Sequence, residues 1–150
     1  RIRSSRLMGN CMARLKLVAA LSAAVCALSV SYAQGGTVWD GVYSSEQAER
    51  GEAVYKGACI ACHGQDLGGN SNSPGLVGMG FMFLWEVRTL GAFFEQIREE
   101  MPTDRPGQLS AQDYVDVVAY IMQANSFPVG DNELPYDAEI LDGIAIAPKS

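Results

Sequence analysis

Apolar residues recur at intervals of three and four in three segments of the chain, and this spacing predicts three amphipathic helices. The predicted helices cover residues 45–56, 90–101 and 110–124. Loops rich in glycine, asparagine, serine and proline separate them. Strands and helices do not alternate along the chain, so the pattern predicts an all-α fold of about three main helices with long loops.

Polar residues mark the start of each predicted helix. Ser44 followed by Gln47, and Ser110 followed by Asp113, have the spacing of a capping box, in which side chains satisfy free backbone donors of the first turn. Thr89 is a cap for the middle helix. These caps indicate where the three helices begin.

Residues 12–33 have the pattern of a secretory signal peptide. Arg14 and Lys16 form a basic start, an apolar run covers residues 17–30, and small side chains end the segment at Ala33. The run is shorter than the roughly 20 residues that span a bilayer, so cleavage is expected rather than a membrane anchor. The segment predicts a periplasmic protein with no stable membrane span after cleavage.

The predicted signal peptide sets the domain boundaries. Translation is expected to start at Met12, with residues 1–11 upstream of it, and cleavage is expected after residue 33. One domain of ordinary size then covers residues 34–130. Residues 131–150 mix apolar and acidic positions without a clear period, and they are predicted to form a C-terminal tail that wraps the surface.

Removal of residues 1–33 leaves a strongly acidic chain. All 17 acidic residues but only six of the 11 basic residues lie after residue 33, so the mature net charge is −11. Such a chain repels a phosphate backbone, which argues against nucleic acid as a partner. The acidity favours encounters with basic protein surfaces, or it serves only to solvate the protein.

The single histidine of the chain, His63, directly follows Cys59 and Cys62 in a C-x-x-C-H motif. This spacing is typical of c-type haem attachment, in which both thiols bond to the haem and the imidazole ligates iron. A zinc site needs four ligands, and no further cysteine or histidine follows the motif. The motif therefore predicts one covalently attached haem c, with His63 as an iron ligand.

A redox dithiol without haem is an alternative for Cys59 and Cys62. Such a dithiol lies at a helix start after a strand, in a chain where strands and helices alternate. This chain lacks that alternation, so the dithiol stays a second hypothesis.

Haem iron in an electron carrier usually has a second axial ligand, and four methionines follow the motif. Met101 ends a predicted helix directly before a proline, so a rigid loop would present its thioether. Met122 has the helical spacing of a core residue, while Met79 and Met82 follow His63 closely and would pack under the haem edge. We predict Met101 as the second ligand. A haem-based gas-binding or sensor module, with an open or displaceable sixth position, is the alternative function.

Two segments of the chain resemble class I c-type cytochromes. They are GVYSSEQAERGEAVYKGACIACHGQDLGG and LWEVRTLGAFFEQIREEMPTDRPGQLSAQDYVDVVAYIMQANSFP, and they cover nearly all of residues 41–128. Specifically, the chain resembles the small cytochromes c related to electron-accepting subunits of quinoprotein (PQQ) dehydrogenases. The resemblance implies a class I cytochrome c fold around one covalently bound haem, in which Gly51 and Tyr55 of the first helix cross the last helix at Val117 and Tyr120.

The same resemblance assigns roles around the haem. Pro74 would supply the carbonyl that orients the imidazole of His63, and Met101 matches the axial methionine. Glu99 and Glu100 stand where relatives carry small or hydroxyl residues, and we expect both to face solvent.

Other pocket residues are candidates from the sequence itself. Trp85 and Arg88 are candidates for contacts to the haem propionates. The candidate wall residues are aromatic: Phe81, Phe83, Trp85, Phe93, Phe94 and Tyr120.

The implied function is electron transfer rather than enzymatic catalysis, because two protein ligands on the iron leave no position for a substrate. The resemblance implies a periplasmic mono-haem cytochrome that carries single electrons between an exported dehydrogenase and the respiratory chain. Its redox partners would be a quinoprotein dehydrogenase as donor and a terminal oxidase or another cytochrome as acceptor.

Overall fold

The computed structural model describes residues 36–149, and the predicted signal peptide and cleavage site lie outside them. In chain order the described elements are β1 (Gly36–Thr37), α1 (Ser45–Ala58), α2 (Ile60–His63), α3 (Gly78–Trp85), α4 (Leu90–Glu100), α5 (Ala111–Ala124), α6 (Ala138–Asp142) and β2 (Ile144–Ala145). The predicted all-α fold is confirmed, since a pair of two-residue strands is the only sheet in this part of the chain. None of the described helices has the length and apolar character that a membrane crossing requires.

The three predicted helices correspond to α1, α4 and α5. The hydroxyl of Thr89 accepts a hydrogen bond from the backbone nitrogen of Ala92 over 3.0 Å at the start of α4. Ser110 and Asp113 form a complete capping box at the start of α5. Both caps act as the sequence predicted, because each satisfies backbone donors that the first helical turn leaves free.

The predicted capping box at the start of α1 is only half formed. Ser44 Oγ accepts a hydrogen bond from the Gln47 backbone nitrogen over 3.1 Å. The buried Gln47 side chain turns instead to Leu134, donating to its carbonyl oxygen over 3.0 Å and accepting from its nitrogen over 2.8 Å. The Gln47 amide thereby joins the C-terminal segment, residues 131–149, to α1 rather than closing the cap.

Helices α1 and α5 cross with their backbones in contact. A Cβ atom added at Gly51 would lie 1.8 Å from the carbonyl oxygen of Asp116 and 2.9 Å from Cβ of Tyr120. The rings of Tyr55 and Tyr120 pack beside this point with centroids 5.4 Å apart. The crossing is found where it was predicted, except that Asp116 rather than Val117 meets Gly51. Val117 lies against a cavity instead.

A buried carboxylate stabilises the same crossing. The Asp116 side chain is 3% exposed and accepts hydrogen bonds from Arg50 Nε over 2.8 Å and from Gln112 Nε2 over 2.7 Å. Arg50 also contacts Glu133 over 2.9 Å. The hydrogen bonds of Arg50 to Asp116 and Glu133 raise the pKa of its guanidinium above the usual value, with Asp116 contributing most. One arginine therefore joins α1, α5 and the C-terminal segment.

The C-terminal segment is more than the predicted surface tail. It contains α6 and β2, and β2 pairs in parallel with β1 so that Ile144 lies opposite Gly36. Leu141 and Ile146 are fully buried, and Leu134 is nearly so. The apolar positions that lacked a clear period in the sequence are therefore core residues, because they fill space beside α1 and α4 from an irregular backbone.

Helix α3 lies where the sequence predicted the end of a glycine-rich loop. Its first turn has no side-chain cap of its own, and the backbone nitrogen of Gly78 donates to Oδ1 of Asn125 over 2.9 Å. Phe81 is fully buried and packs edge-on against Phe93 of α4, with ring centroids 5.3 Å apart. Tertiary contacts therefore hold this helix despite its glycines, which disfavour helix formation.

Candidate haem site

A cavity of about 550 Å³ opens between α2, the loop after it, α4 and α5. The seven residues that the sequence predicted to attach the haem, ligate its iron, orient His63 or contact the propionates all line this cavity. They are Cys59, Cys62, His63, Pro74, Trp85, Arg88 and Met101. The fold therefore brings together residues that are up to 42 positions apart in the sequence, between Cys59 and Met101.

A single helical turn presents the C-x-x-C-H motif. The backbone nitrogens of Cys62 and His63 both donate to the carbonyl oxygen of Cys59, over 3.1 and 3.0 Å. The hydroxyl of Tyr55 donates to the carbonyl oxygen of Gly64 over 2.6 Å and so fixes the end of this turn to α1. The turn directs two thiols and an imidazole to the same cavity, as covalent haem attachment requires.

The thiol of Cys59 is poorly suited to act as a redox nucleophile. Burial raises its pKa to about 11, and the neighbouring Cys62 adds to the effect. Reactive dithiols depend on a lowered thiol pKa, because the thiolate is the attacking species. The buried thiol of Cys59 would therefore not be the attacking group of a redox dithiol, which leaves the exposed Cys62 as the thiol that the dithiol hypothesis requires.

The imidazole of His63 is buried and held in one orientation. Its Nδ1 lies 2.9 Å from the carbonyl oxygen of Pro74. Because a carbonyl oxygen only accepts, Nδ1 carries the proton and the lone pair of Nε2 is free to bind a metal. The structure gives Pro74 the contact that the resemblance implied.

The loop that carries Pro74 is attached to the motif itself. Asn70 Nδ2 donates to the carbonyl oxygen of Cys62 over 2.7 Å. Its Oδ1 accepts from the backbone nitrogens of Asn72 and Ser73, over 2.8 and 3.1 Å. One asparagine therefore fixes the distance between the loop and the imidazole that the loop orients.

Met101 lies at the end of α4, half-buried against the cavity. Its backbone nitrogen donates to Ile97 over 3.0 Å, and its carbonyl oxygen accepts from the hydroxyl of Tyr114 over 3.1 Å. Of the four methionines in the described part of the chain, Met101 alone lines the cavity. Met79 is 90% exposed and Met122 is fully buried in α5. Met82 is half-buried away from the cavity.

The aromatic wall is smaller than the sequence analysis predicted. Of its six candidates, Trp85 and Phe93 line the cavity, with ring centroids 4.7 Å apart. Phe81 and Phe94 are buried in the core, Tyr120 packs on Tyr55, and Phe83 is exposed. The rest of the apolar wall is mostly aliphatic, and its larger side chains are Ile60, Leu76, Leu84, Ile97, Leu109, Val117 and Ile121. The sequence indicates part of this wall through pairs of apolar residues four positions apart, which share one face of a helix. These pairs are Phe93 with Ile97 on α4 and Val117 with Ile121 on α5.

Two arginines line the cavity, of which the sequence analysis identified one. The guanidinium of Arg88 lies over the ring of Trp85, 5.3 Å from its centroid. Arg105, in the loop after Met101, was not predicted. Glu99 and Glu100 are exposed and do not line the cavity, as expected.

The ligand set does not suit a structural zinc ion. No group of three or more histidine, cysteine, aspartate or glutamate side chains within residues 36–149 is arranged to hold a metal. One imidazole and one thioether beside two thiols instead fit haem, whose ring supplies the other four iron ligands.

Comparisons with known proteins agree with this geometry. A family model described as "Cytochrome C oxidase, cbb3-type, subunit III" matches residues 46–121. No curated protein was found to match the chain. A similar solved structure is the sulfane dehydrogenase SoxCD from Paracoccus pantotrophus, with 20% identity and a TM-score of 0.50 over 72% of this chain.

That similarity covers 61% of the SoxCD chain, so this chain spans less than two thirds of it. At 20% identity the likeness supports the fold alone. The family match includes the C-x-x-C-H motif, Met101 and most of α5. The chain therefore belongs to this cytochrome c family and is a class I c-type cytochrome, an electron-transfer protein whose cofactor is covalently bound haem c.

Proposed function

We propose that this chain is an exported mono-haem cytochrome that carries single electrons between an exported dehydrogenase and the respiratory chain. The observation that carries the proposal is the meeting of the C-x-x-C-H side chains and Met101 in one largely apolar cavity of about 550 Å³. A flat apolar cofactor fits such a cavity, and its volume lies in the usual range for cofactor sites. When bound, the haem supplies one-electron iron chemistry.

The residues of this chain would hold and tune that group. Cys59 and Cys62 would attach it through thioether bonds, and His63 and Met101 would be the axial ligands. The carbonyl oxygen of Pro74 keeps the proton on Nδ1 of His63 and increases the basicity of the ligating nitrogen. The aliphatic wall excludes water, which favours the reduced state.

An electron carrier accounts for the site better than a gas sensor. A sensor needs an axial ligand that leaves easily or is missing. The backbone of Met101 is instead held on both sides, by Ile97 of α4 and by Tyr114 of α5. With His63 and Met101 both bound to the iron, a substrate would have no access to it.

The location and partners rest on the sequence. The predicted signal peptide supports export to the periplasm, and the mature charge of −11 supports encounters with basic protein faces. The resemblance supports a quinoprotein dehydrogenase as donor. The matched family model is named for an oxidase subunit, which is consistent with a terminal oxidase, or a cytochrome that serves one, as acceptor.

The outer face of α3 is the surface at which we infer that these partners approach. Its side chains Met79 and Phe83 and the following Val87 are 90%, 88% and 93% exposed. Leu84, on the same helix, lines the cavity. No residue from 67 to 85 is charged. Transient redox contacts are small, so an uncharged apolar surface next to the cofactor suits a partner with an apolar contact face.

Haem staining of a denaturing gel tests the proposal. Mature protein from a host that attaches haem should retain the stain, and a pyridine haemochrome assay should give one haem per chain. Ferric protein should show the weak long-wavelength absorption band of sulfur ligation. An unstained band whose two thiols cycle to a disulfide would establish the redox dithiol instead, and stained protein without the sulfur band would favour the sensor.

A further inference from the structure

The basic side chains of the described domain fall into two groups. Arg50, Lys56 and Arg98 each form an ion pair with at least one carboxylate. Arg88, Arg105 and Lys149 have no carboxylate within 4.0 Å among residues 36–149, although this part of the chain contains 17 acidic residues. Two of these three, Arg88 and Arg105, line the cavity.

The charged side chains that line the cavity therefore have a net positive charge, opposite in sign to the net charge of the domain. The cavity wall contains two arginines and a single acidic side chain, Asp104, in a domain whose net charge is −11. Arg88 and Arg105 are both exposed as well as lining the cavity, so they lie at its mouth. Two guanidinium groups there match the two carboxylates that a haem carries, because arginine binds carboxylates through paired charge-assisted hydrogen bonds.

Arg105 differs from Arg88 in the support of its backbone. Arg88 lies between α3 and α4, where its nitrogen and carbonyl oxygen both form backbone hydrogen bonds, to Trp85 and Ile146. Arg105 lies in the loop that begins at Met101. Between described residues, the segment 103–109 makes one hydrogen bond, from the Arg105 nitrogen to the Pro102 carbonyl oxygen over 2.9 Å.

We propose that Arg105 is a positioning residue that binds one carboxylate of the haem and thereby keeps the loop after Met101 closed, so that the methionine sulfur stays on the iron. The proposal rests on the proposed function. Arg88, which also lines the cavity, would bind the second carboxylate. The hydrogen bond from the Arg105 nitrogen to the Pro102 carbonyl oxygen closes a turn directly after Met101. This turn links the position of the Arg105 guanidinium to that of the Met101 thioether.

Imidazole binding to the ferric holoprotein tests this inference, because imidazole competes with the methionine for iron. The variants are Arg105→Gln, Arg105→Lys and the charge-matched control Lys149→Gln, whose ammonium lies over Trp39 rather than at the cavity. Arg105→Gln should bind imidazole about tenfold more tightly, the effect expected when a hydrogen bond to a charged group is lost. Arg105→Lys should recover most of the native affinity, and Lys149→Gln should bind imidazole as the native protein does.

The same substitution in a Met101→Ala background separates positioning from ligand access. With the methionine removed, Arg105→Gln should no longer change the imidazole affinity. An effect that persists there would overturn the proposal, since Arg105 would then control entry to the iron. The proposal would also be overturned if Arg105→Lys and Arg105→Gln raised the imidazole affinity equally, or if Arg105→Gln left the affinity unchanged. The proposed function fails separately, through native protein that lacks covalent haem or the sulfur absorption band.

Discussion

The carbonyl oxygen of Pro74 lies 2.9 Å from Nδ1 of His63, eleven positions earlier in the chain. This contact fixes the tautomer of the imidazole, so the nitrogen that faces the cavity is a ready metal ligand before any cofactor arrives. The contact depends on the shape of a glycine-rich loop. That loop is attached to the haem-binding motif by Asn70.

Asn70→Ala should weaken the support of this loop. The substitution removes the bond to Cys62 and the two acceptor contacts to Asn72 and Ser73. We expect the holoprotein to lose up to about 3 kcal/mol of unfolding free energy in urea, because each of the three hydrogen bonds contributes about 1 kcal/mol net. Asn132→Ala, at an exposed site in the C-terminal segment, should change the stability by less than about 0.5 kcal/mol. Equal effects of the two variants would contradict the role given to Asn70.

Met101→Ala should open the sixth coordination position while the haem stays attached through Cys59 and Cys62. The ferrous variant should then bind carbon monoxide, and its ferric spectrum should lack the sulfur band. Met82→Ala is the matched control, because Met82 is half-buried but does not line the cavity. Carbon monoxide binding by the Met82 variant and not by the Met101 variant would identify Met82 as the ligand.

Gly51→Ala should destabilise the protein because its Cβ would meet the carbonyl oxygen of Asp116 at 1.8 Å. The backbone cannot yield without separating α1 from α5, so we expect a loss of at least about 1 to 3 kcal/mol in thermal or urea unfolding. Gly80→Ala, in α3, is the control. An added Cβ there meets no atom within 4 Å and should stabilise the helix by up to about 1 kcal/mol. A neutral Gly51 variant would show that the helices can separate without cost.

The rate of electron transfer from the exported donor should fall as salt is added. The mature charge of −11 attracts a basic docking face, and charges further apart than a Debye length of about 10 Å at 0.1 M salt are screened. Stopped-flow reduction across a salt series measures this. A rate independent of salt would mean that the acidic residues only solvate the surface.

Phe83→Ser should slow reduction by the donor without affecting stability. Phe83 is 88% exposed on α3, so its loss removes apolar contact area for the partner but none from the core. We expect a severalfold lower second-order rate constant. Val129→Ser is the control, because Val129 is also an exposed apolar residue but does not belong to α3. If both variants transfer electrons at the native rate, the partner uses another face.

The sequence predicted the residues whose roles depend on local spacing. The cap at Thr89, the capping box at Ser110 and the C-x-x-C-H turn each need only a few consecutive residues, and all three form as expected. The association of Met101 with the cavity was also predictable, because the proline after it ends a helix at a fixed point.

Features that depend on distant partners could not be predicted. Helix α3 takes its first cap from Asn125, which is 47 residues away, and Gln47 leaves its own cap for Leu134, which is 87 residues away. The glycines of α3 locally disfavour a helix, and the spacing of Ser44 and Gln47 favours a local capping box over a bond to Leu134. Arg105 was missed for a related reason, since its significance comes from the absence of nearby carboxylates and not from a motif.

The hydrogen bonds between Gln47 and Leu134 impose an order on folding. Helix α1 precedes the haem-binding motif, yet its buried amide has no partner until residue 134 has been synthesised. Strand β1 likewise cannot pair with β2 until Ile144 has been synthesised. Contacts of such long sequence separation form late, because loop closure costs entropy before it is rewarded. A chain that emerges from its N-terminus therefore exposes Cys59 and Cys62 in an incompletely closed domain until residues 134–145 have also emerged.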